Sequence, residues 1–269
     1  MLIRIRHTTR YRYDRDIVLT AQLVRLTPRG HQGQRVANWR IVEEGGRPLP
    51  TTDDGYGNIV HLLTHNRAHD EAIVVAEGEI ETTENHGIVA GAIERLPPLF
   101  FLRRTPLSTA NDEIVALAHS VVGTAPLERL HDLMGRIRER VAYVIGATTA
   151  ETTAAQALAA GRGVCQDHAH VFIAAARTLG IPARYVSGYL WDGRDVPQEA
   201  SHAWAEAHVP DLGWVGFDAA NGISPSPAYV RVAIGLDYRE AAPIRGLTRG
   251  RAEETLAVSV DVREAAAQQ

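Results

Sequence analysis

Residues 161–170 read GRGVCQDHAH and contain Cys165, the single cysteine of a 269-residue chain. Gly161 and Gly163 precede the thiol, and the apolar run VFIAAARTLG (171–180) follows it directly. A lone free cysteine is commonly a small buried hydrophobe, whereas a thiol at the start of a helix is a candidate nucleophile. With about 100° of rotation per residue, the stripe Cys165, Ala169, Phe172, Ala176 and Leu179 predicts one buried helix face with Cys165 at its N-terminal tip. Asp167 falls roughly opposite, and His170 lies about 140° away by the same arithmetic. A helix start offers a positive dipole end and unpaired N–H groups, which favour a thiolate and can also hold a developing oxyanion. The two glycines leave no side chain in front of the sulfur, so another backbone can approach it. A zinc site built from Cys165, His168 and His170 is the rival reading, but these side chains fan out and no Cys-x-x-Cys partner exists.

A nucleophilic cysteine needs a base, and the base needs an orienting group. Among twelve histidines, His202 stands out for its setting, SHAWAEAHVPDLGWVGFDAANG (201–222). A strand over HAWAEAH puts His202, Trp204, Glu206 and His208 on one face and alanines on the other. VPDLG makes a turn and WVGFD returns. The separation 218 − 202 = 16 is even, so a hairpin centred on Pro210 sets His202 opposite Asp218, while a two-residue turn at Asp211-Leu212 puts them on opposite faces. Glu206 competes as the orienting carboxylate. Asp218 is preferred because it stands where a strand gives way to a loop. His208 reads as a strand-end residue, and Trp204 and Trp214 read as core aromatics, one of which is placed to shield the imidazole.

Outward from this region the chain divides in two near residue 105. Before it, LIRIRHTTRYRYD, VANWRIV, NIVHLLT and EAIVVAEGEIET are short β-rich runs separated by TPRGHQGQ, EEGGRPLP and TDDGYGN. They predict an antiparallel, immunoglobulin-like sandwich over residues 1–104. After LPPLFFLRRTP the period becomes helical. NDEIVALAHSVVG starts behind Asn111 as a cap, PLERLHDLMGRIRERVAYV starts at Pro126, and TTAAQALAAG runs from Thr153 to a stop at Gly161. ARYVSGYLW, HAWAEAHV and WVGFD then read as strands. Near the end, TLAVSVDV places Leu256, Val258, Val260 and Val262 on one strand face, predicted to return to the N-terminal β-layer. The expected fold is α+β: a β-sandwich domain, 1–104, followed by an α+β core, 105–269.

Hydrophobic residues at 45% and charged residues at 22% describe a soluble globular chain. A net charge of −4 gives no long-range attraction to nucleic acid or an anionic membrane. No apolar run approaches the roughly 18 residues that span a bilayer. The N-terminal segment MLIRIRHTTRYRYD lacks a signal peptide's apolar core. With one cysteine no intrachain disulfide forms, so a reducing cytoplasm is the expected compartment.

GRGVCQDHAHVFIAAARTLGIPARYVSGY followed by SHAWAEAHVPDLGWVGFDAANG resembles the core of the bacterial transglutaminase-like superfamily, whose members are described as cysteine proteases. YRYDRDIVLTAQLVRLTPRGHQGQRVANWRI with DDGYGNIVHLL resembles the N-terminal region that accompanies this core. YVRVAIGLDYREAAPIRGLTRG resembles the segment that follows it. The resemblance implies a papain-like α+β core after a β-sandwich, a Cys165 nucleophile, a His202 base, an Asp218 orienting acid and no cofactor. It implies thiol-dependent acyl transfer on a peptide or protein amide, by hydrolysis or transamidation. The alternative is a non-catalytic peptide-binding module on the same fold. Two departures stand out. DAAN (218–221) replaces the family's common Asp-Pro-Thr, and His168 occupies a place often held by an aromatic residue. Asp167 matches a family position, and its place on the helix suggests a structural or dipole role. Substrate identity and oligomeric state are not set by these residues.

Overall fold

The computed structural model describes residues 1–43, 46–194 and 201–265. The chain opens with β1 (Leu2–Ile17), β2 (Leu19–Thr27), β3 (Gln34–Glu43), β4 (Thr51–Asp53), β5 (Ile59–His65), β6 (His69–Thr82) and β7 (Ile88–Val89). Short 3-10 turns over 98–102 and 106–108 lead to α1 (Asp112–His119) and α2 (Pro126–Arg140). Then come β8 (Ala142–Tyr143), α3 (Ala154–Ala160), β9 (Arg162–Gly163) and α4 (Cys165–Thr178). The remainder is β10 (Ala183–Leu190), β11 (His202–Val209), β12 (Gly213–Phe217), β13 (Tyr229–Gly235), α5 (Tyr238–Ala241), β14 (Ile244–Arg249) and β15 (Glu254–Glu264).

The fold is α+β, with an N-terminal β-sandwich and an α+β core. The sandwich consists of two antiparallel sheets in the orders β15-β1-β6-β3 and β14-β2-β5-β4. In β1 the alternation is strict, with Ile3, Ile5, His7, Thr9, Tyr11 and Tyr13 buried. The intervening Arg4, Arg6, Arg10 and Arg12 pair with Glu79, Glu77 and Glu71 on the outer face. Ile3, Ile5, Ile41, Val74 and Ile80 share one core with Val24, Leu26 and Leu63 of the facing sheet. β15 returns to this layer and pairs along β1. Val260 and Val262 are buried there, while Leu256, opposite Tyr11, stays 52% exposed. β2 was not among the strands expected from the sequence. Its inward positions alternate as Thr20, Gln22, Val24 and Leu26, so the first two inward residues are polar and blur the pattern. The end of the chain supplies β14 as well as β15, since β14 pairs with β2.

The core sheet runs β13-β10-β11-β12-β7, so Ile88–Val89 forms its edge beside β12. The helix starts and stops follow local chemistry. Asn111 accepts from the Ile114 N–H at 3.0 Å, Thr153 accepts from the Gln156 N–H at 3.2 Å, and Gly161 ends α3 at φ 62°. The left-handed region at Gly161 favours glycine because it has no Cβ.

α4 packs on β10 and β11 on one side and on α1, α2 and α3 on the other. Burial therefore extends beyond the expected stripe, and every residue from Asp167 to Arg177 is buried. Phe172 of α4 stacks on Phe217 of β12, ring centroids 5.0 Å apart at 23°. Truncating a buried phenylalanine to alanine costs about 3–5 kcal/mol. This contact holds the helix that begins at Cys165 against the strand that leads into Asp218.

Candidate active site

Cys165 is the first residue of α4, His202 the first of β11, and Asp218 follows the last of β12. Each thus sits at an element end. The β11–β12 register pairs Val209 with Gly213 and Ala205 with Phe217. This centres the hairpin on Asp211 with a three-residue turn, neither of the two geometries weighed from the sequence. Asp211 at φ 68° and Gly213 at φ 79° both take left-handed conformations, which a three-residue hairpin turn uses to match strand twist. Continuing the register sets Asp218 opposite Trp204, so His202 and Asp218 are diagonal neighbours on one face. The His202 Nε2–H donates to Asp218 Oδ2 at 2.6 Å.

The Cys165 group also acts electrostatically on the His202 ring. Burial pushes the imidazole pKa down, but the Asp218 and Cys165 groups outweigh it and raise it to about 10. His202 is close to enclosed, with 11% of its side chain exposed. Trp204 shields it, its ring centroid 6.2 Å away, and Trp204 in turn meets Tyr229 edge-on at 5.4 Å. Room for Trp204 comes from Gly188, where a Cβ would lie 2.6 Å from the indole. Trp214 has no part in this shield. It lies beneath the Arg184 guanidinium at 3.8 Å and contacts Phe101 and His208 edge-on.

Asp218 is fully buried, which by itself favours the neutral acid. Five donors reverse that preference. Oδ1 accepts from the Ala220 and Asn221 N–H groups at 3.0 and 3.2 Å. Oδ2 accepts from His202, from Asn221 Nδ2 at 2.7 Å and from the Tyr229 hydroxyl at 2.8 Å. Burial raises the carboxyl pKa and these bonds, led by His202, lower it, leaving it below the ordinary aspartate value. The departure from Asp-Pro-Thr therefore has a visible outcome. DAAN folds back so that Asn221 binds the carboxylate, and a bridge between Asp218 and Ile223 closes the turn. Asn221 and Tyr229 escaped the sequence reading. An asparagine three residues after an acid is a local signal, but Tyr229 arrives from β13, and nothing near Asp218 in the sequence points to it.

The other expected participants have different occupations. Glu206 is fully buried between Arg184, at 2.6 Å, and Arg231, at 2.7 Å, and so does not orient His202. Asp167 accepts from the Val164 N–H at 2.8 Å and from the Thr148 hydroxyl at 2.6 Å, which anchors the first turn of α4. Gly163 makes room for that carboxylate rather than for the sulfur, because a Cβ there would lie 2.7 Å from the Asp167 side chain. Both His168 ring nitrogens lie 2.8 Å from backbone carbonyls, those of Val164 and Val141. His170 Nε2 accepts from the Tyr238 N–H at 3.1 Å, and burial drives its pKa down to about 3. Cys165, His168 and His170 therefore serve separate partners and do not converge. No cluster of three or more histidine, cysteine or acidic side chains suited to a metal occurs among the described residues. Of residues 191–201, which lead into β11, 195–200 lie outside the described residues. No helix among the described residues is long and apolar enough to cross a membrane.

A cysteine-bearing helix tip, a histidine strand and an acid-bearing turn on this α+β scaffold define a transglutaminase-like core. The chain belongs to the transglutaminase-like superfamily. The superfamily's core matches residues 115–219, and the bacterial transglutaminase-like N-terminal region matches residues 3–81. An uncharacterized protein of Mycobacterium bovis is 31% identical over 96% of this chain and 91% of its own length. One from Mycobacterium leprae is 28% identical over 97% of this chain and 98% of its own. The crystal structure of a protein described as a "Putative Cysteine Protease" from Cytophaga hutchinsonii has a similar fold. Its TM-score is 0.75 at 20% identity, covering 100% of this chain and 92% of that one.

Proposed function

We propose that the protein is a thiol-dependent acyl-transfer enzyme acting on peptide or protein amides, with Cys165 as nucleophile, His202 as base and acid, and Asp218 as the orienting carboxylate. The observation that carries this reading is the His202 ring bonded to Asp218 at 2.6 Å, with Asp218 and Cys165 together raising its pKa to about 10. The sulfur attacks the amide carbonyl carbon, and the carbonyl π pair moves to oxygen. The pair then returns, the C–N bond breaks, and the imidazolium proton goes to the departing amine. The resulting thioester is resolved by water or by a second amine, with His202 accepting the proton of the attacking group. Asp218 fixes the tautomer and balances the imidazolium charge throughout. A single reduced thiol as nucleophile suits a reducing compartment, and we place the enzyme in the cytoplasm on that ground.

The test is turnover of a glutamine- and amide-containing peptide pool, with and without an added primary amine, beside binding of the same peptides. Cys165→Ala and His202→Ala should each abolish turnover while the Cys165→Ala protein still binds. Product carrying the added amine identifies transamidation, and its absence identifies hydrolysis. Activity that persists undiminished in Cys165→Ala ends the thiol mechanism. Peptide binding without turnover in the unaltered protein makes it a binding module instead.

A further inference from the structure

A thiol attack places negative charge on the former carbonyl oxygen, and that oxygen needs donors aimed at it. The start of α4 supplies some. The Asp167 and His168 N–H groups are taken by the Val164 carbonyl, and the Val164 N–H by the Asp167 side chain. The Cys165 and Gln166 N–H groups, at the first two helical positions, belong to the set that has no intrahelical acceptor. The protein holds a further donor nearby. β8 and β9 form a parallel pair in which Tyr143 is registered with Gly163, two residues before the nucleophile. The Val144 N–H donates to the Gly163 carbonyl at 2.9 Å, which fixes this backbone directly ahead of Cys165. The Tyr143 ring lies 6.2 Å from that of His168, in the first turn of α4, and the residue is 52% exposed. The residue therefore lies beside the first turn of α4 and is half open to solvent.

We propose that Tyr143 is a catalytic residue whose phenolic O–H donates to the oxyanion formed at Cys165, alongside the N–H groups at the start of α4. This rests on the reading of Cys165 as nucleophile. Two features of the environment support it. Burial, then the charges of Cys165 and Asp218, raise the phenol pKa above its ordinary value, so the group stays protonated and remains a donor. The charges of both Cys165 and Asp218 are thus felt at this phenol. The neighbouring His168 cannot substitute for it, because both its nitrogens face backbone carbonyls. During the reaction Tyr143 forms no covalent bond and loses no proton. Its hydrogen bond strengthens as the π pair moves to oxygen and weakens as the thioester forms.

The test combines two substrates with two variants. Tyr143→Phe keeps the ring and removes the donor, so kcat on an amide peptide should fall about 10²–10³-fold, the usual loss for one oxyanion donor, with KM nearly unchanged. Alkylation by iodoacetamide consumes the same thiolate by displacement at carbon without forming an oxyanion. Its rate should be the same in Tyr143→Phe as in the unaltered protein. A parallel loss of alkylation would show that Tyr143 acts through the thiol–imidazole pair and overturn the proposal. Full peptide turnover in Tyr143→Phe, with loss confined to Tyr143→Ala and seen mainly in KM, would reassign the ring to substrate packing and overturn it too. Cys165→Ala, assayed beside them, separates the outcomes. If that variant is inactive while Tyr143→Phe is unimpaired, the nucleophile stands and only the role of Tyr143 falls.

Discussion

Asp218 meets His202 diagonally across the β11–β12 hairpin, Oδ2 to Nε2 at 2.6 Å, with both side chains withdrawn from solvent. The carboxylate both orients the ring and holds its charge. Asp218→Asn preserves the shape and removes the charge, so the imidazole pKa should fall from about 10, because burial then acts with less opposition. Turnover should fall steeply; the same change in a comparable serine protease costs about four powers of ten. Ring-proton NMR of His202 against pH, beside kcat, checks both. An unchanged titration with Asn at 218 would separate the contact from the charge.

The same pair makes stability depend on pH in the alkaline range. The His202 pKa is raised from 6.5 in the unfolded chain to about 10 in the fold. Its contribution is fully present below about pH 6.5 and is lost as pH rises through about 10. Urea unfolding at steps between pH 6 and 10 should show stability declining across that window. In His202→Gln the decline should flatten.

Asn221 and Tyr229 should act through the acid rather than on the substrate. Each donates one side-chain bond to Asp218 Oδ2, at 2.7 and 2.8 Å. A hydrogen bond to a charged group is worth roughly 1.5–3 kcal/mol, about 10- to 160-fold in rate if all of it is expressed in kcat. Asn221→Ala and Tyr229→Phe should therefore lower kcat less than Asp218→Asn does and leave KM nearly unchanged. Each should also bring the Asp218 pKa up toward its ordinary value, shifting the acid limb of the pH–rate profile upward. A change in KM alone would place these residues in substrate binding.

The sequence carries the site unevenly, for identifiable reasons. Cys165 was legible because a helix start, two glycines and an apolar run coincide in ten residues. The even separation of His202 and Asp218 allowed a same-face pair without compelling it. The turn was not legible, because left-handed Asp211 and Gly213 shift the centre by one residue while leaving the parity intact. β2 was hidden by Thr20 and Gln22 facing inward. Tyr229 was hidden because its contact with Asp218 depends on β13 crossing to the far side of β10. Glu206 was ambiguous because facing direction alone cannot tell an orienting acid from an ion-pair partner; Arg184 and Arg231, distant in sequence, decide it.

Glu206 provides the complementary prediction. It is fully buried, accepts from Arg184 and Arg231, and Arg184 also reaches Glu94. The four charges balance, so replacing Glu206 by Gln leaves a net positive charge beneath β11. Arg184 retains Glu94, while Arg231 loses its carboxylate. Breaking a buried pair by removing one partner costs about 3–5 kcal/mol, which for a domain of this size is roughly 6–20 °C in Tm. The pH response should change in the opposite range from that of His202. Burial raises the Glu206 pKa, and the two arginines overcome it and lower it from 4.5 to about 2. Its contribution is therefore present above about pH 4.5 and fades as pH falls through about 2, and the variant should lose that acid-side slope. Peptide turnover at a temperature where Glu206→Gln is folded should match that of the unaltered protein, because His202 takes its orientation from Asp218. A loss of turnover as large as that in Asp218→Asn, with stability intact, would return Glu206 to the role of orienting acid.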